Sequence, residues 1–147
     1  MTVENTKPMI VCIDDEKDLL DSLEEVCLGM GLDVNTFLDA KSFLQQIDQV
    51  KPSVIVSDIN MPDMDGFGLL AELRSAGVQT PFLFLTGNAT RDNLRYSVVG
   101  GGFDFLSKPI SIMEFEKAIR KALAFGPVDY SDKLKGIISK YVKPKIA

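Results

Sequence analysis

The chain has 147 residues, of which 46% are apolar and 25% are charged, and its formal net charge is −5. A chain of this length buries roughly 70% of its unfolded surface, so we expect one globular domain. The absence of histidine excludes a histidine-dependent nucleophilic triad, and two cysteines alone do not make a zinc site. No apolar run approaches the roughly 20 residues that cross a bilayer, and the start, MTVENTKP, does not resemble a signal sequence. A cytoplasmic protein without a membrane span is expected.

Five short apolar runs, rich in β-branched or aromatic residues, predict strands. They are MIVCI (9–13), VNTFL (34–38), SVIVS (53–57), FLFL (82–85) and FDFLS (103–107). Segments with helical period follow them, around residues 19–27, 43–47, 67–73, 88–99 and 115–123. This alternation predicts an α/β fold, with a parallel sheet and helices on both faces. The nearly continuous apolar runs at 9–13, 53–57 and 82–85 predict strands that are buried on both sides.

Charge and cysteine usage narrow the class of protein further. Residues 1–126 hold 11 Lys and Arg against 19 Asp and Glu, whereas residues 127–147 hold five Lys against two Asp. An acidic body argues against direct nucleic-acid binding by this domain, because phosphate neutralisation needs a basic face. Cys12 and Cys27 lie in apolar or amphipathic segments, and we expect buried, reduced thiols.

Polar residues follow four of the predicted strands. They are Asp14-Asp15-Glu16, Asp58, Thr86-Gly87 and Lys108-Pro109. In open parallel sheets, ligands bind beyond the carboxyl ends of the strands, so these side chains should converge. Carboxylates 4 Å apart repel by roughly 4 kcal/mol at an effective dielectric constant near 20. A hard divalent cation relieves this repulsion, and oxygen ligands favour Mg²⁺, Mn²⁺ or Ca²⁺.

Lys108 adds a fixed positive charge to this predicted cluster. With a cation and an ammonium beside it, a carboxylate can act as a nucleophile toward a phosphoryl group. Thr86 can donate a hydrogen bond to the phosphoryl oxygens, and Gly87 leaves room for them. The sequence therefore predicts an aspartyl-phosphate site.

The combination of Asp14-Asp15, SDINMPDMDG, Thr86-Gly87 and FDFLSKP resembles the receiver domain of two-component response regulators, over about residues 8–125. The resemblance implies a flavodoxin-like, doubly wound fold with strand order 2-1-3-4-5. It also implies that Asp58 accepts a phosphoryl group from a sensor histidine kinase or a histidine phosphotransfer protein. The chain would then be a phosphorylation-activated switch and no enzyme beyond transfer to, and hydrolysis from, Asp58.

The same resemblance implies roles for the other site residues. Mg²⁺ would be held by Asp15 directly, by Asp14 through water, by Asp58 and by the backbone carbonyl of Asn60. Thr86 and Lys108 would contact the phosphoryl oxygens, and the Lys108–Pro109 peptide matches a position that is often cis. Phe105 would be the aromatic switch that turns inward together with Thr86. This motion would reshape the surface of the predicted fourth helix, fifth strand and fifth helix, which a homodimer or an output protein could use.

Two alternatives stay open at this stage. A Mg²⁺-dependent phosphatase with an aspartate nucleophile usually has a second acid two residues later, but Asn60 stands there. A receiver used only for binding would not need its acidic, Thr and Lys positions intact.

Asp14 and Asp15 also suit helix N-caps before Glu16. We expect Asp63 and Asp65 to shape the turn and cap the helix near Phe67, with Gly66 giving backbone freedom.

Residues 127–147 carry a separate signal, and we expect a receiver domain at 1–126 followed by this tail or linker. Apolar residues recur at helical spacing in it, at Leu134, Ile137, Ile138, Tyr141 and Val142. With the five lysines, they predict a basic amphipathic helix. Its apolar face could pack on its own domain, serve a dimer or another partner, or contact a membrane surface or nucleic acid.

Overall fold

The computed structural model describes residues 7–87 and 104–142, which form a five-stranded sheet in the order β2-β1-β3-β4-β5. The strands are β1 (Met9–Ile13), β2 (Asp33–Phe37), β3 (Val54–Asp58), β4 (Phe82–Thr86) and β5 (Asp104–Ser107). All four neighbouring pairs are parallel. The predicted doubly wound fold and its strand order are confirmed.

Six helices lie in the described ranges. They are α1 (Lys17–Gly29), α2 (Ala40–Leu44), α3 (Ile47–Val50), α4 (Gly66–Ser75), α5 (Ile112–Leu123) and α6 (Lys135–Tyr141). The predicted helix at 88–99 lies outside the described residues. The single helix predicted around 43–47 is two short helices instead, because Gln46 leaves helical geometry at φ −119° and ψ 6°. No helix within residues 7–87 and 104–142 is both long enough and apolar enough to cross a membrane.

Two apolar layers cover the sheet, and β1, β3 and β4 are buried between them. The α1/α5 layer includes Leu20, Leu23, Phe115 and Ile119. The opposite layer, against α2 and α4, includes Phe43, Leu44, Leu69, Leu70 and Leu73. Cys12 and Cys27 are buried and free, as predicted.

Residues 127–142, here called the strap, pack on the α2/α4 layer. Leu134 and Ile137 are 6% and 3% exposed and belong to the same apolar cluster as Phe43. The Tyr130 hydroxyl contacts Thr80 Oγ1 at 2.6 Å and also donates to the carbonyl of Pro52. The apolar face of the predicted basic helix is therefore used within its own chain, while a domain boundary at residue 126 stays a prediction.

The burial of Ile137 makes the strap's contribution to stability measurable. Ile137→Ala is expected to lower the free energy of unfolding by about 2–5 kcal/mol, because it removes buried methyl groups and leaves a cavity. The matched control is Ile112→Ala, whose side chain is 59% exposed, with an expected change within about 0.5 kcal/mol. Urea unfolding of both variants checks this. Equal, small effects would mean that the strap is not docked in solution.

Candidate functional site

Backbone hydrogen bonds hold the carboxyl ends of the strands together at one edge. The amide of Asp14 donates to Phe37 O at 3.1 Å, and the amide of Ile59 donates to Leu85 O at 3.1 Å. The amide of Lys108 donates to Thr86 O at 2.7 Å. Residues that follow different strands are thus fixed beside one another by the same ladder that builds the sheet.

Lys108 is the centre of the cluster. Its ammonium Nζ lies 2.9 Å from Asp14 Oδ2 and 3.4 Å from Asp58 Oδ2. A third carboxylate, Glu16 Oε1, lies 3.4 Å from the same nitrogen. Asp14 is fully buried and Asp58 is 6% exposed. The structure therefore brings together four of the polar residues that the sequence predicts at the strand ends. The Lys108–Pro109 peptide is cis.

The electrostatics of the cluster follow from burial and crowding. Desolvation raises the pKa of Asp14, and the nearby charge of Asp58 adds to that rise. The hydrogen bond from the Glu16 amide and the positive charge of Lys108 act in the opposite direction. Burial alone would lower the pKa of Lys108, but Asp14, Asp58 and Glu16 outweigh it and raise this pKa above its usual value. The site therefore keeps its one ammonium charged among acids that repel each other.

The cluster has the donor set and spacing of a site for a hard cation. Carboxylate oxygens of Asp14, Asp15 and Glu16 lie within 4.8 Å of one another. Oxygens on opposite sides of an octahedral Mg²⁺ are roughly 4 Å apart, so this spacing suits such an ion. Asp14 Oδ2 is fully buried, and its contact with the Lys108 ammonium lies outside hydrogen-bond angles. These residues fit a divalent cation held by oxygen.

Glu16 is the residue whose part in this cluster the sequence did not assign. It follows the acidic pair directly, so its position next to the pair was the available signal. The interpretation of Asp14 and Asp15 as N-caps was wrong, since Glu16 occupies the N-cap of α1 without a side-chain bond. Asp14 Oδ1 instead accepts a hydrogen bond from the Glu16 amide at 2.9 Å, which fixes the carboxylate at the end of β1.

The loop after Asp58 is tied to the phosphoacceptor candidate at both ends. The amide of Asn60 donates to Asp58 Oδ1 at 3.3 Å. Asp65 caps α4 by accepting from the Gly68 amide at 2.7 Å, as predicted, and Asp63 has a turn conformation with φ +69°. Gly66 was explained wrongly: its φ is not positive, and it is glycine because a Cβ there would lie 2.6 Å from Asp58 O.

Thr86 and Phe105 lie on neighbouring strands. Phe105 pairs with Phe84, and Thr86 pairs with Ser107 two positions further along. Because side chains alternate along a strand, Phe105 and Thr86 share one face of the sheet. Phe105 is partly buried against the α2/α4 layer, and Thr86 is 1% exposed. This arrangement suits a paired movement of the two side chains.

Comparison with known proteins agrees with this fold and site. The response regulator receiver domain family matches residues 10–120. The chain belongs to this family, and its fold and strand-end cluster define it as a receiver domain of response regulators. Neither the phosphatase nor the binding-only alternative is favoured by these findings.

Individual relatives support the same assignment. The response regulator protein TmoT of Ectopseudomonas mendocina is 28% identical over 85% of this chain and 57% of its own. The transcriptional regulatory protein TrcR of Mycobacterium tuberculosis is 34% identical over 78% of this chain and 44% of its own. This chain thus spans about half the length of the curated relatives it matches. The solved receiver domain of the Francisella response regulator 1452 is 28% identical, with a TM-score of 0.75, over 81% of this chain and 99% of its own.

Proposed function

We propose that Asp58 accepts a phosphoryl group and that this event switches the domain between two conformational states. The observation that carries the proposal is the contact of one partly buried ammonium, Lys108, with both Asp14 and Asp58 at the edge where three strands end. A carboxylate next to a fixed ammonium and a cation-binding pair of acids is the arrangement that phosphoryl transfer requires.

In the proposed reaction, a carboxylate oxygen of Asp58 attacks the phosphorus atom of the donor. The bond from phosphorus to the donor breaks, and its electron pair leaves with the donor, a phosphohistidine of a sensor histidine kinase or a phosphotransfer protein. Lys108 would balance charge on the transferring oxygens, and Thr86, which ends the neighbouring strand β4, would donate to one of them. Water later attacks the acyl phosphate and restores Asp58.

We assign Mg²⁺ to the acidic cluster as the cofactor. Asp14, Asp15, Asp58 and the backbone carbonyl of Asn60 would hold it, as the family resemblance implies. When bound, this ion neutralises charge on the phosphoryl oxygens during transfer. Glu16 lies close enough to Lys108 to compete with Asp58 for the ammonium. With Mg²⁺ bound, the ion and the ammonium would together bring three positive charges to four carboxylates.

The proposed output is a change in the surface around β5 and α5. Residues 88–99, the third part of the predicted surface, lie outside the described residues. Movement of Thr86 toward a phosphoryl group would open space on the face that it shares with Phe105, and Phe105 could then turn inward. A second copy of the chain or an output protein would bind this surface in one state only.

The test uses the full chain with Mg²⁺ and acetyl phosphate, followed by intact mass and by the lability of the adduct to hydroxylamine. Wild type and Asp63→Asn should gain one phosphoryl group, and Asp58→Asn should gain none. Asp63→Asn is the matched control, because it removes one carboxylate from the same loop. An adduct on Asp58→Asn would refute the assignment, and rapid turnover of unrelated phosphate esters would favour a phosphatase instead.

A further inference from the structure

The strap and the phosphoacceptor loop are attached to opposite ends of one helix, α4. At its first residue, the Gly66 amide donates to Ile59 O at 2.9 Å. Gly66 also packs so closely that a Cβ there would lie 2.6 Å from the carbonyl oxygen of Asp58. Two backbone segments in direct contact cannot move independently. A shift of the Asp58–Ile59 backbone is therefore a shift of the start of α4.

The later part of α4 holds the strap through charged and polar contacts. Glu72 Oε1 lies 2.8 Å from the ammonium of Lys140 and accepts from the Tyr141 hydroxyl at 3.0 Å. Arg74, in the last turn, donates to Val78 O at 2.8 Å and to Thr80 O at 2.9 Å. Thr80 in turn contacts the Tyr130 hydroxyl. The end of α4 is thus linked to both ends of the strap.

Apolar packing runs along the same path. Leu69, Leu70 and Leu73 of α4 are fully or almost fully buried in one cluster with Leu134 and Ile137 of the strap. Packed interiors are dense and transmit displacement rather than absorb it. An α-helix of ten residues is about 15 Å long, so α4 spans the distance from the site to the strap as one rigid element.

The strap also joins the two layers of the domain. It leaves the end of α5, passes Pro52 and Thr80 beside the starts of β3 and β4, and ends against α4. The family match ends at residue 120, so the strap itself lies outside the matched residues. The strap can therefore respond to occupation of the Asp58 site. It does so on the α2/α4 face, which is separate from the surface around β5 and α5.

We propose that strap docking is coupled to ligand binding at the Asp58 site through α4, such that an occupied site tightens the strap. The inference rests on the proposed function. A cation and a phosphoryl group fix the 58–60 backbone and hence the start of α4, which reduces the motion of the surface on which the strap docks. Because coupling is reciprocal, loosening the strap must weaken ligand binding by the same factor.

Hydrogen exchange on the full chain tests the first half of this proposal. Beryllofluoride with Mg²⁺ serves as the probe, and its ¹⁹F resonance reports binding separately. We expect amide exchange within residues 134–142 to slow by about fivefold or more when the probe binds. Asp58→Asn should show neither the bound ¹⁹F signal nor the slowed exchange.

Two strap variants test the reciprocal half. Tyr130→Phe removes the hydroxyl that contacts Thr80, and Lys140→Glu reverses the charge beside Glu72. Both should weaken beryllofluoride binding by about fivefold or more. Lys7→Glu, the same charge change at an exposed position ahead of β1, should bind like wild type.

The outcomes separate the two proposals. Normal probe binding with unchanged or faster strap exchange would overturn the coupling and leave the proposed function intact. Wild-type affinity in both strap variants, with their strap exchange raised, would also overturn it. The absence of a bound ¹⁹F signal in the wild type would instead refute the proposed function, and the coupling with it.

Discussion

Lys108→Met is expected to lower the free energy of unfolding by about 3–5 kcal/mol near neutral pH, because it leaves a buried carboxylate without its cation. Asp14 is fully buried, and the Lys108 ammonium at 2.9 Å is its ion-pair partner. Methionine keeps most of the length and packing of the lysine side chain, so the measured loss reports mainly the charge. The same variant should lose phosphoryl transfer to Asp58.

The pH dependence of this loss has a defined sign. Neighbouring acids raise the pKa of Lys108 in the folded state, so its pairing stabilises the protein below its unfolded pKa of about 10.4 and is lost only as pH rises through the folded value. Burial raises the pKa of Asp14 in the folded state. Its contribution to the free energy of unfolding is therefore most favourable below its unfolded pKa of about 3.9, and it is lost as pH rises through its folded-state pKa. Without Lys108, ionised Asp14 costs more stability still.

The deficit of Lys108→Met should therefore be larger at about pH 8 than at about pH 5, where Asp14 takes up a proton more readily. Mg²⁺ should reduce the deficit, because it supplies positive charge to the same carboxylates. Urea unfolding at the two pH values, with and without Mg²⁺, measures both effects. Lys17→Met is the matched control: its pair with Asp21 is 75% and 57% exposed, and its removal should change stability little. A deficit independent of pH and of Mg²⁺ would contradict the explanation.

The strand ends of this fold could be predicted from sequence because local pattern and topology both specify them. Runs such as MIVCI and SVIVS are largely apolar without alternation, which is typical of a strand buried on both sides. Once the strands are parallel, the residue after each run must lie at the same edge. The convergence of Asp14, Asp58 and Lys108 then follows without any knowledge of side-chain positions.

Features that depend on long-range packing could not be predicted in this way. The period of Leu134 and Ile137 predicted an apolar face, but 3.6-residue spacing does not say which surface the face covers. The short break at Gln46 is also set by tertiary context, since the pattern of Phe43, Leu44 and Ile47 fits one helix. Gly66 shows the same limit. Its sequence neighbours suggest a flexible turn, but glycine is required there because the backbone of Asp58, eight residues earlier, approaches it closely.

Gly66→Ala is expected to damage the site more than its size suggests. The added Cβ would lie 2.6 Å from Asp58 O and 3.1 Å from Ile59 Cα, and neither backbone atom can rotate away. Forcing them apart should cost about 1–3 kcal/mol of stability. It should also displace the adjoining Asn60 carbonyl, so we expect Mg²⁺ affinity to fall by about 10- to 100-fold.

Calorimetric titration with Mg²⁺ and urea unfolding measure these two losses on the same protein. Gly29→Ala is the matched control, because a Cβ there meets nothing within 4 Å and Gly29 lies in α1 with ordinary backbone angles. The free energy of unfolding of Gly29→Ala should rise by about 0.5–1 kcal/mol, because alanine has the higher helix propensity. Its Mg²⁺ affinity should equal that of the wild type. If Gly66→Ala bound Mg²⁺ like wild type, the contact between α4 and the Asp58 backbone would not position the site. A second, stabilising substitution elsewhere can restore the free energy of unfolding of Gly66→Ala. If the Mg²⁺ affinity of that double variant stays low, Gly66 positions the site and does not merely support the fold.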